Sequence, residues 1–364
     1  MMRIGILGGG QLGFMTILEG RKLGYSFNVL DRNPHSPAVR VSDRWYPPEE
    51  VINFCRNSDV ITYEFEHIEE EVLQKIEGRV MPSLEILYIK KSRIKEKEFL
   101  KKAGYPICNF KVAEGKELLP AVKEIGFPAV IKRERAGYDG KGQFKICNPS
   151  DLEKVEDCSS NFVIEEFVKF KAEVSVIGVR DLKGKIAVYP LTENIHKDGI
   201  LLYNRTVEDD EINKNAIEIV SSLMEDLSLV GLLAVEFFLT EKGDLLINEF
   251  APRPHNTGHY TLDGCYTSQF ENLLRAISEL PLGITDLKKP AGMVNILGLS
   301  YKEIDLKQLL SVEGTKLYWY GKEKRPRRKM GHINIIGENE ESVLLKIKKI
   351  LNILYDRVNL EWKS

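Results

Sequence analysis

Along residues 1–90, short apolar runs alternate with stretches of helical period. "RIGILG" reads as a strand, "QLGFMTILEGRKLG" as a helix closed by glycine, "YSFNVLD" as a strand and "SDVITYEFEHI" as a third strand region. That alternation predicts parallel βαβ units. Residues 92–103, "SRIKEKEFLKKA", predict a charged amphipathic helix that Gly104 and Pro106 stop. "FPAVIKRERAGYDGKGQFKIC" predicts two strands joined by a glycine-rich loop. "NFVIEEFV" and "AEVSVIGVR" add antiparallel strands, for a small α+β unit over 107–182. A long helix, "DEINKNAIEIVSSLMEDLSL", leads into the hairpin "LLAVEFFLTEKGDLLINEF", the loop "APRPHNTGHYTLDG" and the helix "SQFENLLRAISEL". The remainder reads as a small mixed domain with a basic loop, "GKEKRPRRKMGH". The pattern holds no internal repeat and no low-complexity segment.

Bulk properties narrow the class. A chain of 364 residues makes two or three domains, and its net charge of −2 gives no reason to expect nucleic acid or an anionic membrane as partner. No run approaches the ~18 apolar residues of a membrane span, and the first residues do not form a signal peptide. Five cysteines (Cys55, Cys108, Cys147, Cys158 and Cys265) are scattered without a C-x-x-C pair. Reduced thiols in the cytoplasm are therefore expected, rather than disulfides or zinc.

The opening loop, "GGGQLG", sets Gly8, Gly10 and Gly13 in the dinucleotide spacing, and Asp31 ends the next apolar run where a ribose-binding carboxylate would sit. Alone, this points to a nicotinamide enzyme. The hairpin points elsewhere. With Lys242-Gly243 as a two-residue turn, Glu236 faces Glu249 directly. Opposed carboxylates repel, and in an apolar setting they need a cation or a shared proton. Mg²⁺ held by two carboxylates and a nucleotide suits them; a pair of rim carboxylates separated by a bulge is the alternative. In "VIKRERAGYDGKGQ", Lys132 ends an apolar strand, and Gly137, Gly140 and Gly142 let backbone N–H groups approach an anion. No Ser or Thr follows Gly-Lys, so this is not a Walker A loop, and a plain glycine-rich hairpin is the competing reading. Glu165, Glu166 and Glu173 suit adenine or ribose contacts, or else solvated strand edges. His196, His255 and His259 lack metal-ligand spacing. The basic loop (Lys322, Lys324, Arg325, Arg327, Arg328, Lys329) suits a compact phosphate or a solvated face better than nucleic acid.

The glycine-rich strand loop, the acids after it and the Glu/"NE" hairpin follow the order of ATP-grasp enzymes. Within that superfamily, "GGGQLG", "TYEFEHI", "AGYDGKGQ", "YPLTENIHKDGIL", "LLINEFAPRPHNTGHYT" and "RPRRKMGHIN" resemble the N5-carboxyaminoimidazole ribonucleotide synthetases over nearly the whole chain. The resemblance implies a three-domain ATP-grasp fold, mixed α/β and α+β. It would comprise an N-terminal Rossmann-like domain (1–90), a linker helix with a lid (91–182), a metal-binding domain (183–288) and a C-terminal domain packed on it (289–364). It implies an ADP-producing ligase of purine biosynthesis. ATP and Mg²⁺ would drive carboxylation of 5-aminoimidazole ribonucleotide by bicarbonate through carboxyphosphate, in a cytoplasmic homodimer. On ATP it places Arg93, Lys132, the loop Gly137, Tyr138, Asp139, Gly140, Lys141, Gly142 and Gln143, then Glu165, Glu166, Phe167, Val168, Glu173, His196, Asn248 and Glu249. Glu236 and Glu249 would bind the metal. On the ribonucleotide it places Glu64, Tyr138, Asp139, Lys141, Lys322 and Arg328, with Gln11 and Leu12 beside it. Arg253, His255 and Asn256 are expected on bicarbonate, with Lys132 also catalytic. The opening glycines then serve a substrate anion, and Asp31 becomes an ordinary strand-end acid. Lys141 stands where the family commonly has Arg, Glu166 where Gln is frequent, and Arg327 where it usually has Gly. A formate-using glycinamide ribonucleotide transformylase is the nearest rival. A nicotinamide oxidoreductase leaves the hairpin and "GYDGKGQ" unexplained, and a non-catalytic ribonucleotide-binding module is the last alternative.

Overall fold

The computed structural model describes residues 2–135, 142–155 and 160–355. Its first unit is a parallel sheet of β1 (Arg3–Leu7), β2 (Ser26–Leu30), β3 (Arg44–Tyr46) and β4 (Val60–Tyr63), in the order β3-β2-β1-β4. The burial of every β4 residue fits a parallel sheet covered on both faces. Between β1 and the helix Gln11–Arg21 the chain turns at Gly8, whose φ of 103° a side chain would resist. The charged helix Arg93–Lys102 starts where Ser92 accepts the Lys95 N–H at 3.3 Å and is followed by Gly104.

A second sheet holds β5 (Phe110–Glu114), β6 (Ala129–Arg133), β7 (Gln143–Ile146) and β8 (Asn161–Glu166), antiparallel in the order β5-β8-β6-β7. Helix Leu118–Ile125 covers it, burying Leu118 and Val122 against Ile131, Phe162 and Ile164. Gly137 to Lys141, expected to cover phosphates between β6 and β7, lie outside the described residues.

Everything after β8 joins one nine-stranded sheet. It contains β9 (Phe170–Arg180), β10 (Ile186–Val188), β11 (Thr192–Lys197), β12 (Ile200–Thr206), β13 (Gly231–Thr240), β14 (Leu245–Ala251), β15 (Ala291–Leu297), β16 (Thr315–Trp319) and β17 (Lys329–Ile336). The order is β14-β13-β9-β11-β12-β15-β17-β16, with β10 on the end of β9. One expectation changes here. β9, grouped by pattern with the lid, pairs with β13 along almost its whole length and sits inside the large sheet. In the stretch 289–364, β15 pairs with β12 and so extends the central sheet. Apolar alternation shows that a strand is half-buried but not which partner it takes. Helix Asp210–Asp226 packs one face of this sheet through Val220 and Met224, helix Gln269–Ile277 packs the other through Leu273 and Leu274, and helix Glu340–Tyr355 covers the β15–β17 end.

Candidate active site

The hairpin β13–β14 aligns Glu236 with Glu249, but not by the expected turn. Thr240 N–H bonds the Asp244 carbonyl across a three-residue loop, Glu241 to Gly243, which by itself sets the register one residue off. A bulge then restores it: Glu236 pairs with Glu249 and Phe237 with Ile247, leaving Asn248 as the extra residue. The bulge also lets the neighbours Asn248 and Glu249 both line the cleft.

That cleft holds about 350 Å³ between the parallel sheet, the lid and the large sheet. It collects Arg93, Gln143, Glu173, His196, Glu236, Asn248, Glu249, Arg253, His255 and Asn256, residues spread over more than 160 positions of sequence. Lys132 and Glu165 line a small recess that shares Arg93, Gln143, Asn248 and Glu249 with it. Lys132 Nζ is held at 2.7 Å by Glu165 and 3.1 Å by Asn248 Oδ1. The other Glu165 oxygen takes Lys97 at 3.1 Å. Glu165, expected on adenine and ribose, is 3% exposed with both side-chain oxygens paired to lysines. Burial works against its charge, but the two ammonium groups outweigh this and bring its carboxyl down to about 2.

The electrostatics of the carboxylate pair are asymmetric. Burial and the Glu249 charge push Glu236 above the usual carboxylate range. Glu249 is held well below it, first by Lys90, whose Nζ lies 3.0 Å from Glu249 Oε2. His255 Nε2 lies 3.4 Å from Glu236, and burial keeps its imidazole neutral. Glu173 and His196 form an ion pair across β9 and β11. Burial disfavours the imidazolium, yet Glu173 and Glu236 raise it overall. Two carboxylates and an amide opening into one cleft fit a hard divalent ion completed by phosphate oxygens. Among the described residues no three His, Cys, Asp or Glu side chains converge as an all-protein metal cage.

The other expected residues fall elsewhere. Glu166 accepts from Asn109 Nδ2 at 2.5 Å, Phe167 lies under the Lys145 ammonium, and with Val168 they lie off the cleft lining. Lys322 Nζ bonds Gln11 Oε1 beside the opening loop, and Arg328 donates to the Glu323 carbonyl at 3.0 Å. The Leu12 side chain is buried with Met15, Phe270 and Tyr320. At the opening glycines the protein supplies a carboxylate of its own. Glu64 accepts the Gly10 N–H and, at 3.0 Å, the Gly13 N–H, at the start of the helix Gln11–Arg21. A Cβ on Gly10 would overlap that carboxylate. Asp31 is more than a strand-end acid, since it takes the Gly9 N–H at 2.7 Å. His259 is fully buried and stacked 4.4 Å from His332, a core residue. Arg327, in place of glycine, adopts the glycine-like φ of 63° and donates to the Asp198 carbonyl.

Sequence reasoning missed Glu66, Lys90 and Lys97. Glu66 holds Arg253 at 2.8 Å and is 6% exposed; the second acid of "EFEH" was its available signal. Lys90 and Lys97 lie in a charge run that reads as a solvated face, and only the fold shows them buried.

The parallel sheet, the separate antiparallel lid and the cleft between lid and large sheet define an ATP-grasp enzyme, and residues 98–270 match the ATP-grasp domain model. Residues 1–91 match the ribonucleotide synthetase preATP-grasp domain, and 291–346 the phosphoribosylaminoimidazole carboxylase C-terminal domain. The chain is 56% identical over 357 residues to N5-carboxyaminoimidazole ribonucleotide synthase of Aquifex aeolicus, covering 97% of each protein. It is 42% identical to the Bacillus subtilis synthase, covering 94% of each. A crystal structure of the Aspergillus clavatus synthase with ADP and 5-aminoimidazole ribonucleotide superposes with a TM-score of 0.89 at 29% identity, over 98% of this chain and 99% of that one. The chain belongs to the N5-carboxyaminoimidazole ribonucleotide synthase family.

Proposed function

We propose that the chain carries out the reaction after which its family is named, the ATP-dependent carboxylation of the amino group of 5-aminoimidazole ribonucleotide. One observation carries the site assignment: the Glu236/Glu249 pair faces the cleft and Lys132 the recess that adjoins it at Asn248 and Glu249, with Lys132 held by buried Glu165 and Glu249 by Lys90. Bicarbonate is a poor electrophile because hydroxide would have to leave. Phosphorylation by ATP gives carboxyphosphate, from which phosphate leaves, and the amine nitrogen then takes the carboxyl carbon. Lys132, fixed by Glu165 and Asn248, supplies a positive charge to the transferring phosphoryl group. Glu236, Glu249 and Asn248 would hold Mg²⁺, which when bound neutralises phosphate charge. Arg253, oriented by Glu66, and neutral His255 present donors for bicarbonate. The lid sheet covers the nucleotide and keeps water from carboxyphosphate. Gln11 and Lys322, bonded to each other beside the opening loop, would meet the ribonucleotide together with Arg328. The reading includes a cytoplasmic homodimer; among the described residues no helix is long and apolar enough to cross a membrane. ADP release should need 5-aminoimidazole ribonucleotide, bicarbonate and Mg²⁺ together. Release driven equally by formate and glycinamide ribonucleotide would replace the reading with its rival.

A further inference from the structure

Lys90 ends the helix Leu84–Lys90 and reaches into the cleft with its side chain 10% exposed. Its ammonium meets three carboxylate oxygens: both of Glu96, at 3.0 and 3.1 Å, and Glu249 Oε2 at 3.0 Å. Glu96 is itself fixed, 2% exposed and accepting the Phe250 N–H at 2.9 Å next to Glu249. The Lys90 ammonium lies over the Phe250 ring, 5.7 Å from Nζ to the centroid. The ammonium is therefore built in, with its three donors matched to three oxygens.

We infer that Lys90 is a resident counter-cation of Glu249, competing with the divalent ion so that the ion enters only with nucleotide phosphates. The inference rests on the proposed metal role of Glu236 and Glu249. A site with two opposed carboxylates alone would collect free divalent ions from solution, and an ion seated without nucleotide would not be placed by its phosphates. Lys90 takes one Glu249 oxygen and sets a positive charge beside the place of the ion. In a partly buried cleft such repulsion is weakly screened. Phosphate oxygens add the ligands and negative charge that tip the balance toward the metal.

The test uses Mn²⁺ as a paramagnetic probe, with free ion counted by electron spin resonance, on the full chain with and without a non-hydrolysable ATP analogue. Lys90→Met removes the charge and keeps an apolar stem, whereas Lys90→Arg keeps the charge. Without nucleotide, K90M should bind Mn²⁺ about tenfold more tightly than the native chain, by the Coulomb term between the two cations. K90R should stay within about twofold of the native chain, because its cation remains. Unchanged or weaker binding in K90M would overturn the inference, since Lys90 would then be neutral toward the metal or orient Glu249 for it. Should K90M not fold with Glu96 left unpaired, K90M/E96Q removes both charges, and a smaller tightening in the same direction is expected, because the Glu249 oxygen is freed while the Glu96 charge is lost. The underlying metal reading is tested separately by E249Q with the analogue. Mn²⁺ binding that survives E249Q would overturn that reading, whereas binding lost in E249Q but untouched in K90M would overturn only the role of Lys90.

Discussion

Glu165→Gln should expose how the cleft places its phosphate-binding lysine. Glu165 is 3% exposed and bridges Lys97 and Lys132, both nearly buried, at 3.1 and 2.7 Å. Its carboxyl lies near 2 when folded, against 4.5 ordinarily. That difference amounts to about 3 kcal/mol of stability at pH 7. Removing one partner of a buried ion cluster costs roughly 3–5 kcal/mol, by a route independent of titration. The two figures agree, so E165Q should lose about 3 kcal/mol in urea unfolding followed by tryptophan fluorescence. Because the folded value lies below the unfolded one, the contribution is complete above pH 4.5 and fades as pH falls toward 2. The gap between native and E165Q chains should therefore narrow to roughly half by pH 3. A gap below about 0.5 kcal/mol at pH 7, or one that stays constant from pH 7 to 3, would refute the reasoning.

Other outcomes follow from the same geometry. Arg253→Ala leaves Glu66 buried without its cation, so the KM for bicarbonate should rise at least about tenfold while analogue binding measured by calorimetry stays unchanged, the loss of one charged contact. Glu236→Gln removes a buried like charge, so the metal-free chain should gain about 1 kcal/mol at pH 8 in thermal unfolding while ADP release falls at least about a hundredfold. The sign follows from the raised folded pKa of Glu236: the native metal-free chain should become more stable as pH drops from neutrality toward 4.5, and E236Q should lose that slope. Arg327→Gly relieves roughly 1 kcal/mol of left-handed backbone strain and gives up an exposed bond to the Asp198 carbonyl. Denaturant unfolding should find it no less stable than the native chain.

The parallel N-terminal sheet and the ATP-grasp class were legible because glycine spacing, strand–helix alternation and the "GYDGKGQ" and "NEF" motifs are local signals. The Glu236/Glu249 pairing was legible for an incomplete reason. The loop is one residue longer than the two-residue turn requires, and the bulge at Asn248 compensates. Periodicity of 2 cannot reveal an inserted residue whose effect cancels that of the turn. β9 was misplaced because an apolar strand beside the lid and one inside the large sheet have the same local pattern. Glu66, Lys90 and Lys97 were invisible because their burial arises where three units meet. Along the chain they are ordinary charges; in the fold each has an opposite charge waiting. The helix N-terminus was legible as an anion site, but not that Glu64, more than fifty positions away in sequence, takes two of its N–H groups.

The most direct measurement follows the carbon. With ¹³C-bicarbonate, ATP, Mg²⁺ and 5-aminoimidazole ribonucleotide, the account predicts a ¹³C carbamate signal on the exocyclic nitrogen, one per ADP formed. It also predicts that the signal is lost in Glu249→Gln. ADP formed without labelled carbamate, or labelled product formed without ATP, would contradict it.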